Sequence, residues 1–443
     1  MSGLASHLGG RSVYLVDGAR TPFLRVRGAP GPFRASDLAV AAARGLLLRQ
    51  PFDPPDLDEV ILGCVAPGPD EVNIGRVVAL RLGCGHRVPG WSVQRNCASG
   101  LQAIDSAAKD IALGRAHLVL AGGTEAMSHH PVLLPAELLT WFAQYRQSQG
   151  VLARLRVLSR IRPRYLRPVI GLLRGLRDPV VGLSMGQTAE VLAARFRIGR
   201  SEMDQLAISS HQRLALAHRQ GRLADEIVPL YQKGRAFTQD DGLRAESTLE
   251  TLGRLQPAFD RPHGRVTAGN SAQVTDGAAF VLLASEDGMA RHGLSPRARI
   301  IDCAWSGLDP AQMGLGPAYA IAQLLDRQGL ELPNVDFWEI NEAFAAQVLA
   351  CLAALADPEF CRTELARDHA FPALNPERLN VDGGGISLGH PVGASGARIT
   401  WHLLRVLEAR GAARGIASLC IGGGQGGAIL IERPNPSRQE VPR

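Results

Sequence analysis

Short apolar runs alternate along the chain with longer segments in which apolar residues recur at the spacing of one helix face. The runs are short and rich in Val, Ile and Leu, which predicts buried strands. The helical segments include 38–48 and 101–113. Strands that alternate with helices indicate βαβ units around buried sheets, so the sequence predicts an α/β fold. The predicted strands are 12–16, 60–63, 117–121, 299–302, 335–340 and 416–421.

The same order of strands and helices occurs near both ends of the chain, which suggests an internal duplication. In each half an apolar run leads into glycines, at 120–124 and at 420–424. This rhythm is interrupted in the middle of the chain. The predicted domains are a first domain formed by 1–125 plus 251–294, a loop domain inserted at 126–250, and a last domain at 295–443.

The inserted segment is strongly basic. Between residues 146 and 177 it has nine arginines and no acidic residue, interleaved with Leu, Val and Ile. Read as helices, 151–159 and 168–176 are basic and amphipathic. Such a segment packs its apolar side on the core, lies on an anionic membrane surface, or binds an acidic protein. Nucleic acid is the least favoured partner, because the stretch has one tyrosine and no recognisable nucleic-acid module.

Composition excludes several classes of protein. The 443 residues are 46% hydrophobic and 20% charged, which provides for packed cores and excludes global disorder. The formal net charge is +6, and all of the 48 basic residues except Lys109 and Lys233 are arginines. A charge of this size does not by itself identify a partner.

The cysteines and the N-terminus predict a protein of the reducing cytoplasm. Seven cysteines, an odd number without CxxC spacing, argue against a zinc ribbon and against a secreted disulfide framework. Residues 1–7 lack the charged region and apolar stretch of a secretory signal. The sequence has no run of about 18 apolar residues, so it predicts no membrane-spanning helix.

Cys97 is the first candidate catalytic residue. It lies in the small-residue turn 96–100, between a short predicted strand and the helical segment at 101–113. Free backbone N–H groups and the helix dipole favour a thiolate at a helix N-terminus. A lone cysteine is more often an inert core residue, so the turn alone does not establish a nucleophile.

Three further clusters place reactive side chains at strand ends. His390 lies in the glycine-rich segment 380–398, Cys420 ends an apolar strand, and Asn341 directly follows another. Glycine permits close approach of a ligand to the backbone, and a histidine in such a setting can act as a base or a hydrogen-bond donor. Two cysteines, a histidine and an asparagine in these positions form a candidate acyl-transfer site.

In this order and spacing the four clusters resemble the thiolase family, the acyl-CoA acetyltransferases. The resemblance covers nearly the whole chain. It implies a thiolase fold of two similar βαβ-type domains, packed as layers of helices and mixed sheets, with an inserted loop domain. Further matching motifs lie at 18–23, 121–127, 185–190, 225–229, 256–259 and 266–270.

The resemblance implies a ping-pong mechanism through a cysteine thioester. Cys97 corresponds to the nucleophile, His390 to the residue that activates it, and Cys420 to the acid/base that moves the proton on the acetyl α-carbon. Asn341 would position a water molecule that forms one oxyanion hole with His390. Backbone N–H groups of Cys97 and Gly422 would form the other. A preorganised donor to such an oxyanion contributes roughly 3 kcal/mol.

The resemblance also implies CoA and acyl-CoA as substrates, with no permanently bound cofactor and no metal. Two positions depart from the family pattern. The serine of the family's Asn-Ala-Ser-Gly motif is shifted to Ser271, and Asp382 stands where Asn is common in the glycine-rich segment. The implied CoA-binding residues are Met185, Arg244, Phe259, Ala268, Ser271, Met313 and Phe344.

Two features of the resemblance point to different subtypes. The long basic insertion resembles the β-subunits of fatty-acid oxidation complexes, in which it is associated with the membrane surface and a partner α-subunit. The motif at 96–100 is closer to stand-alone thiolases, which form homodimers or dimers of dimers.

We predict degradative thiolysis of 3-ketoacyl-CoA. The alternatives are a biosynthetic acetoacetyl-CoA thiolase and a non-catalytic subunit that binds acyl-CoA or a membrane. A decarboxylating ketosynthase is disfavoured, since it has no counterpart of Cys420.

Overall fold

The computed structural model describes residues 8–434, and its centre is a mixed sheet of ten strands. The strands are β1 (Tyr14–Arg20), β2 (Leu24–Arg25), β3 (Glu59–Gly63), β4 (Gly90–Val93), β5 (Leu118–Ala126), β6 (Val132–Leu133), β7 (Val169–Ile170), β8 (Leu230–Gln232), β9 (Arg235–Phe237), β10 (Thr275–Ala284), β11 (Ala298–Gly307), β12 (Phe337–Ile340), β13 (Arg414–Ile421) and β14 (Gln425–Glu432).

Helices pack against this sheet and form much of the inserted segment. They are α1 (Ala35–Leu47), α2 (Ile74–Arg81), α3 (Ser99–Ala112), α4 (Ala136–Gln147), α5 (Val151–Leu158), α6 (Gly171–Gly175), α7 (Met185–Arg195), α8 (Arg200–Arg219), α9 (Leu249–Gly253), α10 (Glu286–His292), α11 (Gly316–Gln328), α12 (Ala345–Ala356), α13 (Pro358–Glu364), α14 (Gly385–Leu388) and α15 (Ser395–Ala409).

The predicted strands are all present, as β1, β3, β5, β11, β12 and β13, and two half-sheets repeat the same arrangement. In the first half-sheet β3 is parallel to β5, which pairs antiparallel with β10, and β10 with β1. In the second, β12, β13, β14 and β11 are related in the same way. Among the described strands, the half-sheets join where Tyr14 and Leu15 of β1 pair with β11, next to a hydrogen bond from the N–H of Ile300 to the carbonyl of Val13. The predicted α/β architecture with two similar halves is therefore confirmed.

Alternate residues of the long strands face different cores, because side chains on a strand alternate between its two faces. In β5, Val119 faces a central core that also contains α3 and α15, whereas Leu120 faces an outer core with α1 and α2. In β13, Leu419 faces the same central core, whereas Cys420 faces the outer core of the second half with α11 and α12. Helices α3 and α15 therefore form the middle layer of the molecule.

The first turns of α3 and α15 touch backbone to backbone. A Cβ atom placed on Gly100 of α3 would lie 2.8 Å from the carbonyl oxygen of Gly393, and one on Gly396 of α15 would lie 2.5 Å from the amide nitrogen of Leu101. Real Cβ atoms do not approach other atoms so closely, so both positions require glycine. This contact brings the segments that precede the two helices together.

The basic insertion packs on the molecule through very few side chains. Helix α5 buries only Val157, which packs with Leu138 and Trp141 of α4. Its other apolar residues face outward, and Val151 and Leu152 are 74% and 84% exposed. The interpretation that these residues pack on the core is therefore wrong for α5. Within residues 8–434 no helix is long and apolar enough to cross a membrane.

The predicted helix at 168–176 is only partly correct. Val169–Ile170 form strand β7, which pairs with β6, and only Gly171–Gly175 are helical. Pro168 has no N–H to donate, and the β-branched residues that follow it favour an extended strand. The predicted domain limits stay predictions, and the assignment made for residues 1–7 lies outside the described residues.

Replacing Gly396 by Ala tests the helix contact, because two effects oppose each other there. Helix propensity alone favours Ala by about 1 kcal/mol. Overpacking against Leu101 costs about 1–3 kcal/mol, so we expect a lower free energy of unfolding in urea. Gly253→Ala in α9 is the matched control, since a Cβ there meets nothing within 4 Å, and it should be neutral or stabilising. Stabilisation by both substitutions would contradict the contact.

Candidate active site

Cys97 lies in a tight turn between β4 and α3. Asn96 adopts a left-handed backbone conformation with φ of 44°, which asparagine tolerates better than most residues, and its side chain donates to the carbonyl of Gly422 at 2.7 Å. The Ser99 hydroxyl accepts from the N–H of Arg95 at 2.9 Å and donates to the carbonyl of Asn96 at 2.7 Å. These bonds fix the turn and tie it to the tip of β13.

Burial keeps the Cys97 thiol protonated. Burial raises the pKa of Cys97 to about 11. Hydrogen bonds from the backbone N–H groups of Gly422 and of Cys97 itself lower the pKa, but by less. The sequence pattern favours a thiolate at this helix N-terminus, but desolvation outweighs the local donors. The same N–H groups point at the sulfur, and their role in an oxyanion hole stays a prediction.

Cys420 lies on β13, two residues before Gly422, and is buried. Burial raises its pKa well above the usual range of a thiol, and the nearby Cys97 and Cys351 raise it further. The electrostatic effect of Cys97 on Cys420 places both predicted reactive thiols in one site. At neutral pH both are protonated, and neither can ionise without affecting the other.

His390 is held by Ser395, the first residue of α15. Its Nδ1 lies 2.6 Å from the Ser395 hydroxyl, which itself donates to the carbonyl of Pro391 at 3.1 Å. The hydroxyl therefore accepts from Nδ1–H, which leaves Nε2 as the basic nitrogen. Burial and the positive charge of Arg398 lower the pKa of His390 to about 4, so the ring is neutral at pH 7.

Asn341 faces the ring of His390 from the end of β12. Its side-chain nitrogen lies 3.4 Å from Nε2 of His390, and its backbone N–H donates to the carbonyl of Ser418 at 2.9 Å. Its side-chain oxygen is buried and has no hydrogen-bond partner among residues 8–434. Of the predicted catalytic residues, Asn341 thus adjoins His390, and Cys97 adjoins both Gly422 and Cys420.

Glu342 and Ser210 support the glycine-rich segment, and sequence reasoning assigned neither a role. The buried Glu342 carboxylate accepts from Ser210 at 2.7 Å, from Asn380 at 2.9 Å and from the backbone N–H of Ile386 at 3.3 Å. Glu342 follows Asn341 directly, so its motif was visible in the sequence. Ser210 lies in the middle of α8, where no local pattern distinguishes it. Ser395 was visible only as one small residue of the glycine-rich segment.

Four of the predicted CoA-binding residues lie together. Phe259 and Phe344 pack edge to face with ring centroids 5.9 Å apart, and Ser271 forms a backbone bridge with Phe344. The Ser271 hydroxyl donates to the carbonyl of Thr267 at 2.6 Å, so it is engaged within its own turn. Ala268 is exposed in the same turn.

The other three predicted residues are Arg244, Met313 and Met185. The backbone N–H of Arg244 donates to Nδ1 of His211 at 3.1 Å, in the segment that follows the inserted helices. Met313 is buried in the same outer core as Phe344 and Cys420. Met185 packs against that core and lies close to Gly422, since a Cβ atom placed on Gly422 would come within 3.3 Å of the Met185 sulfur.

Cys97 opens into a cavity of about 650 Å³. One wall is formed by the basic insertion, including α6 and the residues after it, which sequence reasoning did not assign to the site. Because residues 146–177 carry no matching motif, only the folded chain reveals this wall. Residues that line it include Met127, His130, Leu172, Arg174, Leu176, Arg177, Met185 and Val392.

Two family models match the chain almost end to end. They are described as the N-terminal domain of thiolase, over residues 13–287, and the C-terminal domain of thiolase, over residues 294–433. A 3-ketoacyl-CoA thiolase of Yersinia enterocolitica is 37% identical over 426 residues, which cover 96% of this chain and 97% of that protein.

Another relative and a solved structure are similar to this chain over nearly its whole length. A β-ketoadipyl-CoA thiolase of Pseudomonas aeruginosa is 39% identical, with 96% of this chain and 99% of the relative covered. The crystal structure of human mitochondrial 3-ketoacyl-CoA thiolase in complex with CoA superposes with a TM-score of 0.83 at 36% identity. That superposition covers 98% of this chain and 100% of the human one.

The pKa of Cys97 gives a direct test of the resting site. With a pKa of about 11, the rate of Cys97 alkylation by iodoacetamide should rise about tenfold for each pH unit between pH 7 and 10. Mass spectrometry of the peptide that contains Cys97 follows the reaction, and Cys97→Ser identifies labelling of other thiols. A rate that levels off below pH 8 would indicate a resting thiolate and would contradict this description.

Proposed function

Because this chain belongs to the thiolase family of acyltransferases, we propose that it cleaves 3-ketoacyl-CoA with CoA, as in the degradation of fatty acids. The products are acetyl-CoA and an acyl-CoA that is two carbons shorter. The observation that supports this most directly is the association of two protonated thiols, Cys97 and Cys420, with a neutral His390. CoA serves as a substrate, and no permanently bound cofactor is required.

In the first half-reaction Cys97 becomes acylated. His390 takes the proton of Cys97 at Nε2, and the sulfur attacks the 3-keto carbon of the substrate. Cleavage of the bond between the second and third carbons leaves its electron pair on the acetyl-CoA enolate. Cys420 donates its proton to that carbon, which leaves a Cys97 thioester, an imidazolium at His390 and a thiolate at Cys420.

In the second half-reaction CoA takes the acyl group. The Cys420 thiolate removes the proton of the CoA thiol, and the resulting sulfur attacks the thioester. Cys97 leaves as a thiolate and recovers its proton from His390, so the enzyme returns to its starting state. The N–H groups of Cys97 and Gly422 stabilise one oxyanion, and Asn341 with His390 the other.

Alternative substrates share these steps. Acetoacetyl-CoA synthesis is the reverse reaction and uses the same residues, so the site geometry favours neither direction. A second candidate substrate is a 3-ketoacyl-CoA that ends in a carboxylate, because Arg174 and Arg177 line the Cys97 cavity and guanidinium groups pair well with carboxylates. The name of the Pseudomonas relative describes such a substrate.

We place CoA near the group formed by Phe259, Ala268, Ser271 and Phe344, with Met185 and Met313 towards the reacting thiols. Arg244 would pair with the phosphates of CoA. Burial lowers the pKa of the Arg244 guanidinium, and the positive charge of Arg25 lowers it further. We also propose that the chain forms a homodimer or a dimer of dimers in the cytoplasm, alone or with an α-subunit.

Two cysteine variants separate the half-reactions. Cys97→Ala should abolish thiolysis of acetoacetyl-CoA, 3-ketohexanoyl-CoA, 3-ketohexadecanoyl-CoA and 3-ketoadipyl-CoA, because no thioester can form. Cys420→Ala should lower thiolysis by roughly 10³-fold yet still accept an acetyl group from acetyl-CoA, since that exchange moves no carbon-bound proton and the CoA thiolate that it releases can take its proton from water. Intact-protein mass spectrometry detects the acetyl group.

The wild-type substrate profile decides among the alternatives. Cleavage of the long substrate supports the degradative role, and preference for 3-ketoadipyl-CoA supports the carboxylate-bearing substrate. Cleavage of acetoacetyl-CoA alone supports the short-chain enzyme. If wild type cleaved none of the four, the non-catalytic subunit would replace the proposed function.

We further propose that the basic insertion lies on an anionic membrane surface. None of its nine arginines between 146 and 177 pairs with a carboxylate within residues 8–434. Val151, Leu152 and Leu173 are 74%, 84% and 63% exposed beside them. Exposed apolar side chains interleaved with unpaired arginines are typical of segments that bind anionic headgroups.

Vesicle sedimentation tests this contact. Replacement of Arg154, Arg156, Arg160 and Arg162 by Gln should lower binding to vesicles with anionic phospholipid by roughly 100-fold or more, at about 1 kcal/mol per arginine. Binding should also fall with salt and be weak on zwitterionic vesicles. The matched control replaces four exposed arginines elsewhere, Arg87, Arg219, Arg291 and Arg378. Equal losses in both variants, or no binding by wild type, would contradict the contact.

A further inference from the structure

A line of buried charged side chains runs beside the glycine-rich segment, and the proposed reaction uses none of them. Arg20, at the end of β1, donates to Glu226 and to Asp240, both at 2.6 Å. The second oxygen of Glu226 lies 2.9 Å from Nδ1 of His402. Arg20, Glu226 and His402 belong to the first half, the inserted segment and α15 respectively, so the line crosses all three parts of the chain.

The line continues from His402 into the glycine-rich segment. Nε2 of His402 lies 3.6 Å from one oxygen of Asp382, and the other oxygen lies 2.8 Å from a guanidinium nitrogen of Arg222. His402 and Asp382 are 3% and 4% exposed. Asp382 stands where the family commonly has Asn, so the carboxylate is a feature of this chain.

The surroundings of His402 favour its protonated form, the imidazolium. Both ring nitrogens face carboxylates, and only the protonated ring has a donor at both positions. Burial alone would lower the pKa of His402, but the charges of Glu226, Glu339 and Asp382 raise it above the usual range. The balance of charge agrees with this. The three carboxylates of Glu226, Asp240 and Asp382 face only two guanidinium groups, those of Arg20 and Arg222, so a protonated His402 makes the line neutral.

The contact between His402 and Asp382 encloses the chain segment that contains His390, the proposed base. Asp382 lies at the start of the glycine-rich segment, and His402 lies two turns into α15, so their contact closes the chain from 382 to 402 into a ring. His390 lies within that ring and is oriented by Ser395 at its far side. Glu342 and Ser210 hold the same segment from the opposite face.

We propose that His402 and Asp382 are positioning residues, whose buried ion pair holds the 382–402 ring and thereby places His390 beside Cys97. This inference rests on the proposed function for the role of His390. Neither residue touches the reacting atoms. Loss of the imidazolium leaves Glu226 and Asp382 facing each other without a cation between them, and the ring opens.

Three carboxylates act directly on His402 and set the pH range of this effect: Glu226, Glu339 and Asp382. Their cationic partners are Arg20 from β1 on Glu226, Arg398 from α15 on Glu339, and Arg222 on Asp382. Asp240 also binds Arg20 and lies 3.8 Å from His218. Since the pKa of His402 is raised on folding, its stabilising contribution is complete below the unfolded value. That contribution is lost as the pH rises through the folded value.

The test compares His402→Gln, Asp382→Asn and the double variant with wild type in thiolysis of acetoacetyl-CoA and 3-ketohexanoyl-CoA. His402→Gln should lower kcat by roughly 10- to 100-fold with KM within about twofold, because the base is displaced and CoA contacts are not. The double variant restores the balance of charge and should regain most of kcat. His86→Gln, at an exposed histidine, is the matched control and should behave as wild type.

A spectroscopic measurement reads the ion pair itself. In protein labelled with ¹³C at histidine Cε1, the His402 resonance, assigned by its loss in His402→Gln, should report an imidazolium at pH 7.5. Its midpoint should move to lower pH in Asp382→Asn, and the alkaline limit of kcat should move with it. Circular dichroism and thermal unfolding confirm that each variant is folded.

Distinct results overturn each part. Unchanged kcat in His402→Gln, or no recovery in the double variant, would overturn the positioning role. A neutral His402 at pH 7.5 would overturn the ion pair. If wild type cleaves neither substrate, the proposed function fails, and the inference is judged on the His390 resonance. That resonance must shift in His402→Gln and return in the double variant.

Discussion

Direct backbone contact between the first turns of α3 and α15 is the constraint on which the rest of this structure depends. The absence of side chains at Gly100 and Gly396 lets the two helices meet at the centre of the molecule. Each half-sheet packs on its own outer core, so the sheets alone do not bring the turns before α3 and α15 together. The glycine contact joins the two similar halves at those turns.

The interior separates two kinds of charge. At rest Cys97, Cys420 and His390 are all neutral, because burial shifts the pKa of each in the direction that favours its uncharged form. The permanent charges lie in a separate line that includes Arg20 and Glu226, whose pKa is held below its usual range. Burial opposes that shift, but His402 and Arg20 outweigh it.

Much of this arrangement was predictable from sequence, because strand periodicity and the turn motifs are local. The alternation at 117–121 and 416–421 predicts β5 and β13, and the motif positions identify Cys97 and Cys420. Contacts between distant segments were not predictable. Ser210 on α8 and Arg222 after it have no pattern that links them to Glu342 or Asp382. The helix predicted at 168–176 failed because Val169 and Ile170 found a partner strand, which periodicity alone does not reveal.

The junction between β1 and β11 is short: Tyr14 pairs with Arg299 and Leu15 with Ala298, next to a hydrogen bond from the N–H of Ile300 to the carbonyl of Val13. A seam this short does little to resist rotation of one half against the other. The alignment of the half that carries Cys97 with the half that carries His390 therefore depends on helix packing in the middle layer. Damage to that packing would appear first as misalignment of two intact halves, so loss of turnover would precede loss of fold.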